Sequence, residues 1–449
     1  MTLRKRISRT GLELYFLARR LPFREHRVLL EASQHWSADR IEELRRNRLR
    51  TVLDAASALP FYRDLHAGAG IPVREVSGTA DLARLPILEK GALRDLRAAC
   101  STTGAFERTT AGTSGLPTVV LADPGAQAAA LAARSRCYAW FGIESGDREA
   151  RFWGRPIQRP TLQSAVKLQL LNRECFDYRD VDGDAILGAC QRLDRSGAAY
   201  LYGYASLILR LCRGLERTGR QLRFRPKAAI LTAEATTASE RHWIGEVLGC
   251  PVVDEYGCSE VDIIAFSCPH GRRHVMAENV VVETIPVAGG MGLQEIVVTD
   301  LNNVAMPLIR YRLGDLVSLA EEPCPCGRMM PILATVDGRS TRQYVRTPDG
   351  RSVHANPFPY FMEEQQAQGA PLRRFQIRQT ALDRLEVFLV LDEADAWAEP
   401  LERKLKALVT KYYGREMVLI LHLVEDIRPV PGAKFEYFIA LPDEPQPGS

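Results

Sequence analysis

A run rich in glycine and hydroxyl residues, Thr110-Ala-Gly-Thr-Ser-Gly-Leu-Pro117, is the first segment whose residue types could do chemistry. Its glycines let backbone N–H groups approach an anion, and its hydroxyls donate further hydrogen bonds. The run is not a Walker loop, because no Gly-Lys-Ser/Thr follows it. On its own, this pattern indicates either a phosphate-binding loop or an ordinary turn.

Three later patches add an aromatic ring, carboxylates and a lysine: Glu255-Tyr-Gly-Cys-Ser-Glu260, Ile309-Arg-Tyr-Arg-Leu-Gly-Asp315 and Gly432-Ala-Lys434. The first of them follows a strand-like stretch, 251–253, so we expect it at the carboxyl end of a strand, where α/β sheets bind ligands. An aromatic face suits a flat base, and a hard carboxylate oxygen suits Mg²⁺. A buried tyrosine and a surface glutamate would explain the same residues if the motif stood alone.

Three cysteines and two histidines are grouped in two turns, Cys268-Pro-His-Gly-Arg-Arg-His274 and Cys324-Pro-Cys326. Three thiolates and one imidazole complete a tetrahedral zinc site. Such a zinc ion would be structural, because no coordination position remains open for a substrate. Reduced thiols without a metal are the alternative.

The elements that must position these groups follow from hydrophobic periodicity. Short apolar runs at 228–231, 251–253, 280–283 and 295–298 predict strands, and helical patterns cover 126–138, 207–218 and 239–248. Strands that alternate with helices predict an α/β body containing parallel sheet. A chain of 449 residues exceeds the usual size of one hydrophobic core. We therefore expect a large body at 1–336, with a helical entrance at 1–99, and a smaller mobile α+β lid domain at 337–449.

The composition limits the classes of protein and of partner that are compatible with this chain. With 46% hydrophobic and 25% charged residues, the sequence is typical of a soluble globular protein and has no stretch long enough for a membrane span. A net charge of only +4 argues against nucleic acid as the main partner. Ten cysteines without secretory targeting favour the reducing cytoplasm. The oligomeric state is left open.

Basic residues concentrate at the start of the chain, where eight arginines and lysines in 1–27 surround the apolar run 12–18. Glu13 interrupts that run, and no small-residue cleavage site follows it, so a signal peptide is disfavoured. The segment predicts a basic amphipathic helix. It either packs on the body with a solvated face or docks on a membrane surface or a partner.

In chain order, the four patches resemble those of adenylate-forming enzymes. The resemblance is to the branch of phenylacetate-CoA ligases and their capsule-biosynthesis and coenzyme-synthetase relatives, and it covers essentially the whole chain. It implies that a carboxylic acid, often an aryl or similar acid, reacts with Mg²⁺-ATP to give an acyl-adenylate and pyrophosphate. The acyl group then passes to an acceptor, and coenzyme A is the commonest acceptor in this branch.

Other functions remain open at this point. An amine, a sugar amine or a carrier-protein thiol could replace coenzyme A without changing the adenylation motifs. Two non-enzyme alternatives are a catalytically dead scaffold with the adenylate-forming fold and a zinc-stabilised nucleic-acid-binding protein. Retention of Glu260, Asp315 and Lys434 disfavours the scaffold.

The resemblance also implies roles for individual residues. Tyr256 would stack on adenine beside Gly257, Ser259 would contact the α-phosphate, and Glu260 would hold Mg²⁺. Ala233 and Glu234 match the segment that borders the adenine. The phosphate loop, in which Ala111 replaces the usual serine, would hold ATP or AMP through Thr110, Gly112, Thr113, Ser114 and Gly115.

The remaining roles concern the ribose, the hinge, the acid and the metal. Asp315 would accept hydrogen bonds from both ribose hydroxyls, and Arg339 begins the segment that aligns with the domain hinge. Lys434 matches the late catalytic lysine, whose charge offsets the repulsion between a carboxylate and the α-phosphate, although Ala433 intervenes in the usual Gly-Lys. The acyl pocket would be lined by Trp153, Gly154 and Tyr204. The zinc ligands would be Cys268, His274 rather than His270, Cys324 and Cys326.

Overall fold

A computed structural model of the protein describes residues 3–69, 75–109, 119–153, 168–177, 180–181, 185–287, 293–339, 344–355, 357–392, 394–427 and 435–441. The first hundred residues are helical within these ranges. They form α1 Leu3–Ala18, α2 Phe23–Ser33, α3 Ala38–Ala58, α4 Pro60–Ala69 and α5 Leu93–Ala98, with 3-10 turns at Thr79–Arg84 and Lys90–Ala92. In α3 the buried residues Leu49, Val52, Leu53 and Ala56 recur at helical spacing and pack on the body.

An eleven-stranded mixed sheet forms the centre of the body, in the order β10-β11-β12-β13-β9-β8-β7-β6-β5-β3-β4. The five strands at one end of this order, β7-β6-β5-β3-β4, pair in parallel. They are β3 Glu149–Phe152, β4 Arg173–Phe176, β5 Tyr200–Tyr204, β6 Ala229–Thr232 and β7 Val252–Cys258. The pairing becomes antiparallel at β7–β8. The antiparallel half contains β8 Asp262–Ser267, β9 Arg273–Val275, β10 Val280–Pro286, β11 Gln294–Asp300, β12 Tyr311–Leu319 and β13 Ile332–Arg339.

Helices cover both faces of the parallel half, which explains why its strands are apolar throughout. In β6 all four residues are buried. On one face, Leu201 and Leu231 pack with α7 Ala185–Ser196, α8 Ala205–Arg217 and α9 Ala238–Leu248. On the other, Tyr202 and Ile230 pack with α6 Pro124–Ala139. A short hairpin of β1 Phe106–Thr109 and β2 Val119–Ala122 precedes α6.

A second, smaller sheet lies in the last third of the chain. Its order is β18-β17-β16-β19, built from β16 Leu372–Ala381, β17 Arg384–Leu391, β18 Val418–Leu423 and β19 Phe438–Ile439. The hairpin of β14 Tyr344–Arg346 and β15 Ser352–His354 precedes it. Together with α10 Pro357–Ala367 and α11 Ala394–Tyr413, these strands enclose their own apolar core, which includes Phe358, Phe375 and Tyr413. The predicted α/β class, with a large sheet that contains parallel strands and a smaller α+β unit, is confirmed. The boundary at 337 stays a prediction.

No helix in the described ranges is both long enough and apolar enough to cross a membrane.

A fully buried ion pair fastens the entrance helices to the body. Arg136 on α6 donates to Glu278 at 2.5 Å, and the two side chains are 1% and 0% exposed. The hydroxyl of Ser33 on α2 donates to the same carboxylate at 2.5 Å, and Arg136 also donates to the carbonyl of Leu30. Burial opposes ionisation of Glu278, but the Arg136 charge outweighs it and holds the pKa of Glu278 below its usual range. The pair therefore joins α2, α6 and the turn before β10 at one point.

We predict that Glu278→Gln lowers the free energy of unfolding by roughly 3–5 kcal/mol, because it leaves the Arg136 charge buried without a counter-charge. Urea denaturation followed by circular dichroism measures the change. The matched control is Glu31→Gln, which removes the partner of Arg27 from an exposed pair on α2, and it should cost only about 0–1 kcal/mol. Equal effects of the two substitutions would contradict the structural importance of the buried pair.

Candidate active site

Four of the predicted site residues lie at the carboxyl ends of adjacent parallel strands. Phe152 pairs with Gly203, Tyr204 with Thr232, and Thr232 with Glu255. Trp153, Tyr204, Ala233 and Tyr256 therefore follow or end neighbouring strands on the same edge of the sheet. Ligands of open α/β sheets bind at this edge, where the strand ends leave a crevice.

Close backbone approach at this edge requires glycine at two positions. A side chain at Gly203 would place its Cβ 1.9 Å from the carbonyl oxygen of Phe152, and Gly203 has φ +155°. A side chain at Gly257 would place its Cβ 2.1 Å from the carbonyl oxygen of Asp262, across the β7–β8 hairpin. Gly257, predicted to border the nucleotide, is thus also required for the hairpin that follows Tyr256.

The predicted adenine-stacking and ribose-binding residues are in direct contact. The Tyr256 hydroxyl donates a hydrogen bond to the Asp315 carboxylate at 2.7 Å, although the two residues are 59 positions apart in sequence. Burial raises the pKa of Tyr256 well above its usual range, and the nearby Asp315 charge raises it further. The phenol is therefore protonated at neutral pH and acts as the donor. Because a carboxylate has about four lone-pair positions, Asp315 can accept from further hydroxyls as well.

Glu260, predicted to hold Mg²⁺, has a buried side chain that is 6% exposed. Its carboxylate accepts a hydrogen bond from the Tyr311 hydroxyl at 3.0 Å. Among the described residues, no lysine, arginine or histidine forms an ion pair with Glu260. A buried carboxylate without a cationic partner is costly, and a bound cation would remove that cost. Glu260 thus fits a magnesium ligand, and the neighbouring Ser259 is exposed in the same turn.

The segment that follows β6 joins the body to the smaller domain. Ala233 has the left-handed φ of +70°, which a residue with a Cβ adopts only when its surroundings impose it. Beside it, the buried Glu234 carboxylate accepts hydrogen bonds from the backbone N–H and the hydroxyl of Ser206, at 2.7 and 3.0 Å. It also accepts one from the backbone N–H of Phe435 in the smaller domain, at 2.9 Å. Phe435 immediately follows Lys434 in the sequence.

Further contacts hold the same part of the smaller domain against the body. The Tyr437 hydroxyl donates to the Glu240 carboxylate at 2.7 Å, and the Arg374 guanidinium lies 4.0 Å from the same carboxylate. Asp426 forms ion pairs with Arg213 and Arg210 of α8. The interface therefore combines a hydrogen bond from a tyrosine hydroxyl with several ion pairs.

An aromatic cluster contains the predicted acyl-pocket residues. The rings of Trp153 and Tyr204 are 4.5 Å apart, and the Trp153 ring lies nearly parallel to that of Tyr202, with 6.2 Å between centroids. Arg151 lies 4.6 Å from the centre of the Tyr202 ring, on the side of the cluster that faces a buried carboxylate, Glu149. The structure thus brings Trp153 and Tyr204 together and adds Tyr202 and Arg151 to them.

The predicted zinc ligands converge. Their ligand atoms, from Cys268, His274, Cys324 and Cys326, all lie within 4.8 Å of one another. The Sγ atoms of Cys268 and Cys324 are 3.6 Å apart, and Cys326 Sγ is 3.2 Å from His274 Nε2. Zinc–ligand bonds of about 2.0–2.3 Å in a tetrahedron require ligand atoms roughly 3.3–3.8 Å apart, which these distances approach. Burial lowers the pKa of His274 to about 4, so its imidazole is neutral at pH 7 and can donate a lone pair. The donor set fits Zn²⁺.

Several predicted site residues lie outside the described ranges. These are the phosphate loop with Thr110, Gly112, Thr113, Ser114 and Gly115, the acyl-pocket residue Gly154 and the catalytic lysine Lys434. For Arg339 the structure describes the backbone, which ends β13 and pairs with Asp315 of β12. The predicted hinge arginine is thus adjacent in the sheet to the predicted ribose carboxylate.

Five residues of the site were not predicted: Tyr311, Ser206, Phe435, Tyr202 and Arg151. Tyr311 lies inside the motif that ends at Asp315. Tyr202 and Ser206 each lie two residues from Tyr204, and Arg151 lies two residues before Trp153, so proximity to predicted residues was the available signal. Phe435 binds Glu234 through its backbone N–H. No side-chain pattern could have revealed that contact.

Comparison with known proteins identifies the relatives of this chain. No protein-family model matches it. It is 27% identical over 339 residues to the phenylacetate-coenzyme A ligase of Thermus thermophilus. The aligned region covers 67% of this chain and 71% of that protein. The chain is 24% identical over 304 residues to protein CapK of Staphylococcus aureus, which covers 66% of each. The chain is thus similar in sequence to phenylacetate-CoA ligases and to CapK, and the predicted resemblance is confirmed.

Solved structures show the same fold as this chain. A 2-hydroxyisobutyryl-CoA ligase in the postadenylation state, in complex with 2-HIB-AMP, matches with a TM-score of 0.69 at 19% identity over 91% of both chains. The same ligase in the thioesterification state, with CoA, matches with a TM-score of 0.55 over 91% of both chains. The predicted fold class is confirmed, because the chain shares the fold of this ligase.

We predict that Glu234→Gln weakens docking of the smaller domain, because an amide cannot accept all three hydrogen bonds with the strength of a carboxylate. Charge-assisted hydrogen bonds contribute about 1.5–3 kcal/mol each. Loss of one would raise the undocked fraction roughly 10- to 100-fold. Hydrogen exchange at the Phe435 amide should accelerate by a similar factor.

The control for this measurement is Glu246→Gln on α9, whose carboxylate is exposed and pairs only with His242 among the described contacts. It should leave the exchange rate of Phe435 unchanged. If Glu234→Gln also leaves that rate unchanged, then the Glu234 carboxylate does not hold the smaller domain.

Proposed function

We propose that this protein is an ATP-dependent, AMP-forming acid–CoA ligase. It would join a carboxylic acid to AMP with release of pyrophosphate, and then transfer the acyl group to the coenzyme A thiol. The observation that carries the proposal is the hydrogen bond between Tyr256 and Asp315 at the carboxyl edge of the parallel strands. That contact unites an aromatic ring and a carboxylate from distant motifs where a nucleoside would bind.

The residues of the chain divide the work of the first half-reaction. Tyr256 offers a face for adenine beside the Ala233–Glu234 segment, and Asp315 accepts the ribose hydroxyls. Glu260 would hold Mg²⁺, which neutralises charge on the phosphates when bound. The phosphate loop, from Thr110 to Gly115, and Ser259 would bind the phosphates. Lys434 would place a positive charge beside the acid carboxylate and the α-phosphate.

The contact between Glu234 and Phe435 supports an arrangement of domains suited to adenylation. Phe435 follows Lys434 directly, and its backbone is bound beside the adenine-bordering segment. The higher similarity to the postadenylation state of 2-hydroxyisobutyryl-CoA ligase than to its thioesterification state agrees with this arrangement. Rotation of the lid about the segment that starts at Arg339 would then expose the adenylate to coenzyme A.

The acid would bind among Trp153, Tyr204 and Gly154, with Tyr202 and Arg151 behind the rings. Flat aromatic walls favour an aryl or similarly planar acid. The choice of coenzyme A as the acceptor is based on the similar proteins, two of which are named phenylacetate-coenzyme A ligases. An amine, a sugar amine or a carrier-protein thiol is the alternative acceptor, and a cytoplasmic location is part of the same proposal.

The test is a panel of carboxylic acids assayed for pyrophosphate release in the presence of Mg²⁺-ATP, with and without coenzyme A. We expect acid-dependent pyrophosphate release and a thioester product that forms only when coenzyme A is present. If pyrophosphate is released but no thioester with coenzyme A forms, and a product appears only when an amine or a carrier protein is added, then that compound is the acceptor in place of coenzyme A. Absence of release with every acid would favour the dead scaffold.

Asp315→Ala provides the site-specific arm of that test. It should lower the affinity for ATP by at least about 10-fold, since each of the two charge-assisted hydrogen bonds contributes about 1.5–3 kcal/mol. The native enzyme should discriminate against 2'-deoxy-ATP, and the variant should barely do so. Asp383→Ala, which alters an exposed carboxylate in the β16–β17 turn, is the control. Undiminished discrimination in the Asp315 variant would show that this residue does not bind the ribose.

We further propose one structural zinc ion per chain at Cys268, His274, Cys324 and Cys326. Cys326→Ser should lower the zinc content measured by elemental analysis. It should also lower the thermal midpoint of unfolding, because the zinc ion that joins the two turns loses one of its four ligands. Cys175→Ser changes a half-buried thiol outside the cluster and should do neither. Protein from zinc-replete medium that contains no zinc would refute the site.

A further inference from the structure

The outer face of α1 is apolar. Leu3, Ile7, Leu14 and Leu17 are 73%, 52%, 61% and 75% exposed, although they are among the largest apolar side chains of the chain. Their spacings of four, seven and three residues place them in one stripe along the helix. Isolated exposed leucines need no explanation, but four large apolar side chains aligned and exposed on one helix do.

The opposite side of α1 is bound to the body, so the stripe cannot simply turn inward. Lys5 forms ion pairs with Glu144 and Asp147, both at 2.6 Å, and its side chain is mostly buried. Ser8 is fully buried. A Cβ at Gly11 would lie 3.1 Å from Leu170, which shows how closely the helix packs there. These contacts fix the rotation of α1 and direct its apolar stripe away from the protein.

Positive charge borders the stripe. Residues 3–24 carry seven basic side chains and one acidic side chain, so this segment holds more positive charge than the whole chain's net of +4. Arg4, Arg6, Arg20 and Arg24 are exposed. The one acidic residue, Glu13, already pairs with Arg9. Tyr15, whose amphipathic ring suits a membrane–water interface, is also exposed.

We propose that α1 docks this protein on an anionic phospholipid surface, with the helix axis in the plane of the membrane. The stripe of Leu3, Ile7, Leu14 and Leu17 would enter the boundary between headgroups and acyl chains, and the flanking arginines would contact lipid phosphates. A second copy of the chain is a poorer occupant, because two such stripes would bring their positive flanks together. An acidic peptide is also poorer, because the stripe is a convex helix surface and not a groove.

The proposed attachment is peripheral and reversible, since an interfacial helix of this length has no spanning segment and depends on charge as well as apolar contact. It is independent of the adenylation chemistry, because α1 contributes none of the residues assigned to the active site. Its failure would therefore leave the proposed ligase activity intact, and the two can be tested separately.

Sedimentation of the full chain with lipid vesicles tests the proposal. The protein should bind vesicles that contain phosphatidylglycerol and bind pure phosphatidylcholine vesicles weakly, and the binding should decrease as salt rises. Leu14→Asp/Leu17→Asp should reduce binding at least about tenfold, because charged groups must leave water to enter the boundary. Arg4→Gln/Arg6→Gln should reduce it roughly 30-fold, from two basic side chains near an anionic surface.

Leu382→Asp is the matched control, since Leu382 is 51% exposed in the smaller domain. It should bind vesicles as the native protein does, and all variants should unfold at nearly the native temperature because the altered side chains are exposed. Equal binding by the α1 variants and the control would overturn the proposal, as would absence of binding to anionic vesicles. Sedimentation equilibrium that shows a native dimer, dissociated by Leu14→Asp/Leu17→Asp without any vesicle binding, would assign the stripe to a second copy instead.

Discussion

The Glu234 carboxylate is the contact on which the assembled site depends. It lies at the end of β6, accepts two hydrogen bonds from Ser206 at the start of α8, and accepts a third from the backbone of Phe435. The amino end of a helix carries partial positive charge, which favours a carboxylate at this position. A single buried anion therefore ties a strand end, a helix start and the second domain together, next to the segment expected to border adenine.

The rest of the architecture supplies the surroundings of that contact. Parallel strands covered by helices on both faces bring Trp153, Tyr204 and Tyr256 to a common edge, where no single sequence segment could assemble them. The antiparallel strands then return Tyr311 and Asp315 to the same edge, so that they meet Glu260 and Tyr256. The buried Arg136–Glu278 pair holds the entrance helices against this frame from the far side of α6.

The sequence was most informative where the candidate site residues lie in short local motifs. The alternation of strands and helices predicted the α/β class, and short apolar runs located the first residues of β6, β7, β10 and β11 to within one residue. The Cys and His positions predicted a zinc site, and the four side chains lie close together in the structure. Contacts that depend on the backbone or on packing were not predictable. The Phe435–Glu234 bond and the outward rotation of α1 both follow from tertiary packing, which periodicity alone does not encode.

The change from parallel to antiparallel pairing at β7 has a consequence for how such a protein can diversify. The aromatic residues proposed to receive the acid come from the crossover-connected strands β3 and β5, whereas the nucleotide and cysteine–histidine residues come mainly from β7 and the hairpins beyond it. Crossover connections can be lengthened or exchanged without altering the register of the hairpins. If the proposed roles hold, the residues that select the acid can therefore be exchanged while the residues proposed to bind the nucleotide keep their positions.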